Sequence, residues 1–170
     1  MIAVYRIGHR INRDKRVTTH VALVARAFGA DKIFVDTKDK KLEETINSVC
    51  KRFGGDFKIE TGVNRKHLLK QWNGQIIHLT MYGADLEETV KKIDSKKDIL
   101  VIVGSEKVPG DIYEISDFNI SVGNQPHSEI AALALFLDRY TNKTWLKKDF
   151  KGELKIIPMN KGKKIVTCKK

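Results

Sequence analysis

Short apolar runs and amphipathic stretches take turns along the chain, and their two periods read alternately as strand and helix. Ile2–Arg6 reads as a first strand. Val17, Val21, Val24 and Phe28 then share one helical stripe, which predicts a helix over residues 17–28 with Gly29 as its stop. Lys32–Val35 is strand-like. Asp39 stands where it can cap a helix running to about residue 53, with Leu42, Ile46, Val49 and Phe53 on one face and Gly54-Gly55 behind it. A short strand at 57–60 and a short helix at 65–72 follow. Residues 75–79 form the next strand, which opens into a loop at 80–83, and 86–93 reads as helix. Two further strands, Ile99–Val103 and 119–122, each run into a glycine. A last helix covers 128–140, and Leu154–Ile157 with 165–168 reads as a β-hairpin.

Strands alternating with helices imply an α/β fold: a parallel sheet with helices on both faces. The last helix breaks the amphipathic pattern. From Ile130 to Leu137 it is apolar all round, so burial on more than one side is expected. A symmetric contact with a second subunit would supply the second side; a deep packing site within the monomer is the alternative. The length suits one body over 1–141, with a basic extension at 142–170 packed on it. No apolar run reaches the length of a membrane span and the first residues lack a signal peptide's order of regions, so a cytoplasmic chain without a membrane contact is expected. Cys50 and Cys168 stand in unrelated contexts and read as free thiols of a reducing compartment. The five histidines show no metal-ligand spacing, so no metal is expected.

Charge changes this picture. The net charge is +11, and it is concentrated at the two ends. Residues 139–170 hold eleven Lys/Arg against Asp149 and Glu153, and residues 6–16 hold five against Asp14. The remainder is close to neutral. Two basic ends on a neutral body form a footprint for a polyanion, with nucleic acid the commonest. A solvated lysine-rich surface is the bland alternative. Lysines outnumber aromatics in the tail, which favours phosphate contact over base stacking.

The candidate chemistry lies in the loops. Buried parallel strands that end at a glycine and release a loop at the carboxyl edge are where α/β proteins hold ligands. Neither a Walker pattern nor a Gly-x-Gly-x-x-Gly after the first strand is present, and there is no Gly-x-Ser-x-Gly elbow. Three such loops, offering backbone groups and few charges, suit an amphipathic, adenosine-sized ligand without phosphates.

The runs VGSEKVP, ISVGNQPHSEIAALALFLDR and HLTMYG, with the block GHRINRDKRVTTHVALVARAFGAD, resemble the SPOUT superfamily of S-adenosyl-L-methionine-dependent RNA methyltransferases. They are most similar to its archaeal branch that 2'-O-methylates the cytidine at position 56 in the T-loop of tRNA. The resemblance spans most of the first 140 residues; the C-terminal hairpin matches less distinctively. It implies S-adenosyl-L-methionine as cofactor, tRNA as partner, a homodimer, and a deep trefoil knot in the C-terminal part of the sheet threaded by the last helix. General topology rules would argue against a knot. Carried over by residue, the cofactor contacts fall on Leu79, Met81 and Gly83 in the first loop. They fall on Gly104, Ser105, Glu106, Lys107 and Val108 in the second. The third supplies Val122, Gly123, Asn124, Gln125, Pro126, His127, Ser128 and Glu129.

In the wider branch an arginine on the first helix assists the attacking ribose hydroxyl. Here Leu23 falls at that place, and the resemblance to RDKRVTTH puts Arg16 first, with His20 second. An arginine stays protonated, so it suits clamping a phosphate or stabilising a developing alkoxide; a histidine has the better pKa for a base. Arg10 and Arg13 beside Arg16, and Lys147 and Lys148 in the tail, are the candidate RNA contacts. Glu106 has an alternative role as cap of a helix begun near Pro109, and His127 as a loop hydrogen-bonding residue. His9, His67 and His78 have no supporting constellation and read as structural or surface residues. Two other functions stay open: a knotted methyltransferase acting on another RNA or on a base nitrogen, and an RNA-binding protein without turnover.

Overall fold

The computed structural model describes residues 1–104 and 107–168. Six parallel strands make one sheet: β1 (Ile2–Arg6), β2 (Lys32–Val35), β3 (Lys58–Thr61), β4 (Gln75–Asp85), β5 (Ile99–Val103) and β6 (Phe118–Ser121), in the order β3-β2-β1-β5-β4-β6. The helices are α1 (Ile11–Ala27), α2 (Lys40–Phe53), α3 (Arg65–Gln71), α4 (Leu86–Thr89), α5 (Gly110–Ile115) and α6 (Glu129–Tyr140). Alternate strand residues feed two apolar layers. Val4, Ile33, Ile77, Val101 and Ile120 pack with α1, α2 and α6 on one face. Tyr5, Phe34, Ile76, Leu100 and Ile102 pack with Leu69 of α3 and Ile112 of α5 on the other. β5 is buried along its whole length, as a strand covered on both faces must be. Each fully buried branched side chain there contributes about 1.5–3 kcal/mol.

Side-chain caps set several helix starts. Asp39 accepts from the Leu42 amide at 3.0 Å, Asn64 from His67 at 3.1 Å and Ser128 from Ile130 at 3.2 Å. Gly54 ends α2 at φ 79°, a left-handed conformation that favours glycine. α1 corrects the sequence reading, because it begins at Ile11 rather than at 17. Its first turns carry few apolar residues, so no hydrophobic period marks them. They are held instead by Asp14, which accepts from the Arg10 amide at 3.1 Å and from Arg10 Nε at 2.8 Å. That hydrogen bond also holds the Asp14 carboxyl below its usual pKa. The helix expected at 86–93 divides into α4 and a 3-10 turn at Val90–Lys92.

β4 is the second correction. It does not stop at Leu79. The chain bows out through residues 80–83 and returns, so that Ile120 of β6 pairs first with Leu79 and again with Ala84. α6 buries Ala132, Leu133, Phe136 and Leu137 but leaves Leu135 42% exposed. Among the described residues, therefore, only one side of that apolar helix is covered.

After α6 a 3-10 turn at Thr144–Lys147 seats Trp145 on Phe28, with ring centroids 4.2 Å apart. Lys151 bridges to Gly54, and Phe150 lies 4.7 Å from the Arg26 guanidinium. Two antiparallel strands follow, β7 (Leu154–Ile157) and β8 (Lys164–Thr167).

Candidate active site

The carboxyl ends of β4, β5 and β6 bring the expected loops together. Asn124 Nδ2 donates to the Met81 carbonyl at 2.7 Å and lies 3.5 Å from that of Gly83, joining the third loop to the first. Gly83 rests on β6 so closely that a Cβ would lie 2.6 Å from the backbone of Asn119 and Ile120. No other residue fits without moving backbone. The Thr80 hydroxyl meets the Tyr113 hydroxyl of α5 at 3.2 Å, which ties the first loop to the helix that follows the second. At Gly104 a Cβ would overlap the Val108 side chain, so this strand end too is closely packed. Leu79 is buried; Met81, Val108 and Val122 are half-buried; Lys107, Gly123, Gln125, Pro126 and His127 are exposed. Ser105 and Glu106 lie outside the described residues. The exposed backbone around these tethers suits a ligand read through amides and carbonyls.

Glu129 and Ser128 have partners of their own. Ser128 caps α6. The Glu129 carboxylate takes the Arg6 guanidinium at 2.9 Å, with Arg6 1% exposed at the end of β1. Burial pulls the Arg6 pKa down and Glu129 works against it; an arginine remains charged regardless. The pair fastens the start of α6 to the middle of the sheet.

Two histidines taken from sequence as lacking a constellation have one. His9 is buried, with Nδ1 2.9 Å from Thr18 Oγ1 and Nε2 3.2 Å from Asp39 Oδ2. The order hydroxyl–imidazole–carboxylate matches a nucleophile's relay, but Thr18 is fully buried, so the group pins the turn into α1 instead. His78 is buried against Asn119, at 2.9 Å. Asp39 and Asn119 lie 30 and 41 residues away along the chain, so only an aligned polar pair in three dimensions could reveal them.

Arg13, Arg16 and His20 are exposed on α1 at spacings of three and four, which puts them along one stripe. Arg10 precedes the helix. Lys147 and Lys148 sit at its far end beside Trp145, and 17 residues at about 1.5 Å each make α1 roughly 25 Å long. Two cavities, of about 430 and 370 Å³, open at that same end of the sheet, and Lys148 lines both. Among the described residues no three His, Cys, Asp or Glu side chains converge as metal ligands, and no helix is long and apolar enough to cross a membrane.

A family model described as "tRNA ribose 2'-O-methyltransferase, aTrm56" matches residues 53–166. The chain is 56% identical over 163 residues to a tRNA (cytidine(56)-2'-O)-methyltransferase of Picrophilus torridus, covering 96% of this chain and 48% of that protein. It thus spans about half the length of that relative. A protein of the same name from Thermococcus kodakarensis is 51% identical over 174 residues, covering 98% of this chain and 97% of that one. Among solved structures, the SpoU methyltransferase AviRb from Streptomyces viridochromogenes, in complex with the cofactor AdoMet, aligns with TM-score 0.60 at 11% identity over 84% of this chain and 57% of that one. That likeness shows the fold.

Proposed function

The chain belongs to the tRNA ribose 2'-O-methyltransferase family, and from that premise we propose that it methylates the ribose 2'-hydroxyl of the cytidine at position 56 of tRNA, using S-adenosyl-L-methionine. The observation that carries the reading is the 51% identity across nearly the whole Thermococcus relative. The Asn124 tether between the first and third loops supports it.

Bound S-adenosyl-L-methionine supplies an electrophilic methyl group on a sulfonium. The backbone of 79–83, of Gly104 with 107–108, and of 122–129 would hold that cofactor, and the close packing of Gly83 on β6 keeps the first of these loops in place. Arg16 stabilises the oxygen as charge develops on it, or clamps a neighbouring phosphate. His20, one turn further on, is the second candidate and acts by accepting the proton. Arg10, Arg13, Lys147 and Lys148 hold the tRNA backbone. The double pairing of Ile120 supports a trefoil knot, with β6 passing beneath the bridge of residues 80–83. The exposed side of α6 around Leu135 supports a homodimer. β7 and β8 form a basic hairpin, and the enzyme works in the cytoplasm.

Incubation with labelled S-adenosyl-L-methionine and a tRNA pool, followed by mapping of the label, tests the reading. The label is expected on the 2'-oxygen of cytidine 56. Label on another nucleotide or on a base nitrogen, or no transfer at all, would overturn it. At saturating tRNA the single-turnover rate of Arg16→Ala should fall more than RNA affinity does. A normal rate would move Arg16 to a binding role and promote His20.

A further inference from the structure

His78 stands alone among apolar neighbours. Ile76, Leu100 and Ile102 fill the same face of the sheet, yet position 78 carries a fully buried imidazole. Its hydrogen bonds identify the tautomer. Asn119 Nδ2 donates to the Tyr113 carbonyl at 2.9 Å, which turns Asn119 Oδ1 toward His78 Nδ1, also at 2.9 Å. An amide oxygen only accepts, so Nδ1 carries the proton and Nε2 is left with a lone pair and no partner among the described residues. Burial lowers the pKa of the ring and favours this neutral form. The ring also stands edge-on to Tyr113, with centroids 4.6 Å apart at 89°. The Tyr113 hydroxyl in turn holds Thr80.

We propose that His78 is a positioning residue of the cofactor site. Through Asn119 and Tyr113 it sets Thr80, and with it the bridge of residues 80–83. One polar chain then joins β4, the helix after β5, and β6 just ahead of its loop. Asn124 holds the same bridge from the outer side. A core imidazole with an unpartnered nitrogen has a cost in stability, and a part in holding the loops accounts for its presence. This inference rests on the methyltransferase reading above.

His78→Phe keeps an aromatic ring, though a larger one, and removes the donor to Asn119. S-adenosyl-L-methionine affinity, measured by calorimetry well below the melting temperature, should fall about tenfold, while tRNA affinity stays within about twofold. His78→Asn restores a donor near Nδ1 and should recover most of the loss. Tyr113→Phe deletes only the hydroxyl that meets Thr80; it should weaken cofactor binding several-fold with an unchanged melting temperature, and it decides the matter alone if His78→Phe fails to fold. Wild-type cofactor affinity in Tyr113→Phe would overturn the proposal, as would parallel losses of cofactor, tRNA and thermal stability in His78→Phe. No binding by the wild-type chain would overturn the methyltransferase reading itself, and this inference with it.

Discussion

The two edges of the sheet present different groups to solvent. At the carboxyl edge, short polar tethers and a buried ion pair hold the loops: Asn124 to Met81 at 2.7 Å, Arg6 to Glu129 at 2.9 Å, and Gly83 against the backbone of β6. At the amino edge the tail is anchored by aromatic contacts, Trp145 on Phe28 and Phe150 beside Arg26, and by hydrogen bonds, the Gly55 amide to the Phe150 carbonyl at 2.8 Å and Trp145 Nε1 to Asp138 at 3.1 Å, around open cavities and exposed lysines. A small ligand is selected by groups that cannot shift, because every displaced donor or acceptor loses a hydrogen bond. A polyanion is held by the sum of many charges, each of which tolerates movement. The carboxyl-edge tethers therefore suit a small ligand, and the exposed cations, Arg13 and Arg16 on α1 as well as the tail lysines, suit a polyanion.

The most severe way to break this contrast is Gly83→Ala. A methyl group 2.6 Å from the Asn119 and Ile120 backbone must push β4 and β6 apart. Roughly 3 kcal/mol of stability should be lost, together with cofactor binding. Denaturant unfolding and calorimetry measure both, and an alanine variant as stable as wild type would show that the bridge is loose.

Arg6→Met comes next. It strands Glu129, whose side chain keeps 25% exposure. The cost should be roughly 3 kcal/mol, at the low end for a broken buried pair because the carboxylate retains water. Adding Glu129→Gln should return part of it. If the second change returns nothing, the pair is not what fastens α6.

The mildest change sharpens the comparison from the other edge. Replacing Lys147 and Lys148 with Gln should leave cofactor affinity and melting temperature unaltered. The salt dependence of tRNA binding should flatten by about 0.7–0.9 in slope for each phosphate that is no longer neutralised. An unchanged slope would free the tail's lysines from any role at the RNA backbone.

Much of this was legible in the residue order. The alternation of periods placed all six sheet strands, with β1, β2 and β5 at their observed bounds, because strand and helix are selected by which side chains face a core. Gly104 and Gly123 marked the loops as well: at Gly104 a Cβ would overlap the Val108 side chain, so the strand end has no space for bulk. The start of α1 was not legible. Its first turns are stabilised by an Arg10–Asp14 hydrogen bond rather than by burial, and a hydrophobic period cannot register that.

The sequence by itself determined the alternating architecture, the three loops and the basic ends, since each depends on local pattern or on charge count. Tertiary structure alone decided that Ile120 pairs twice with β4 and that His78 meets Asn119 across 41 residues of chain. It also decided that the two basic clusters lie at opposite ends of α1. These features are contacts between segments distant in sequence. Their energy comes from alignment in space, which no spacing along the chain encodes.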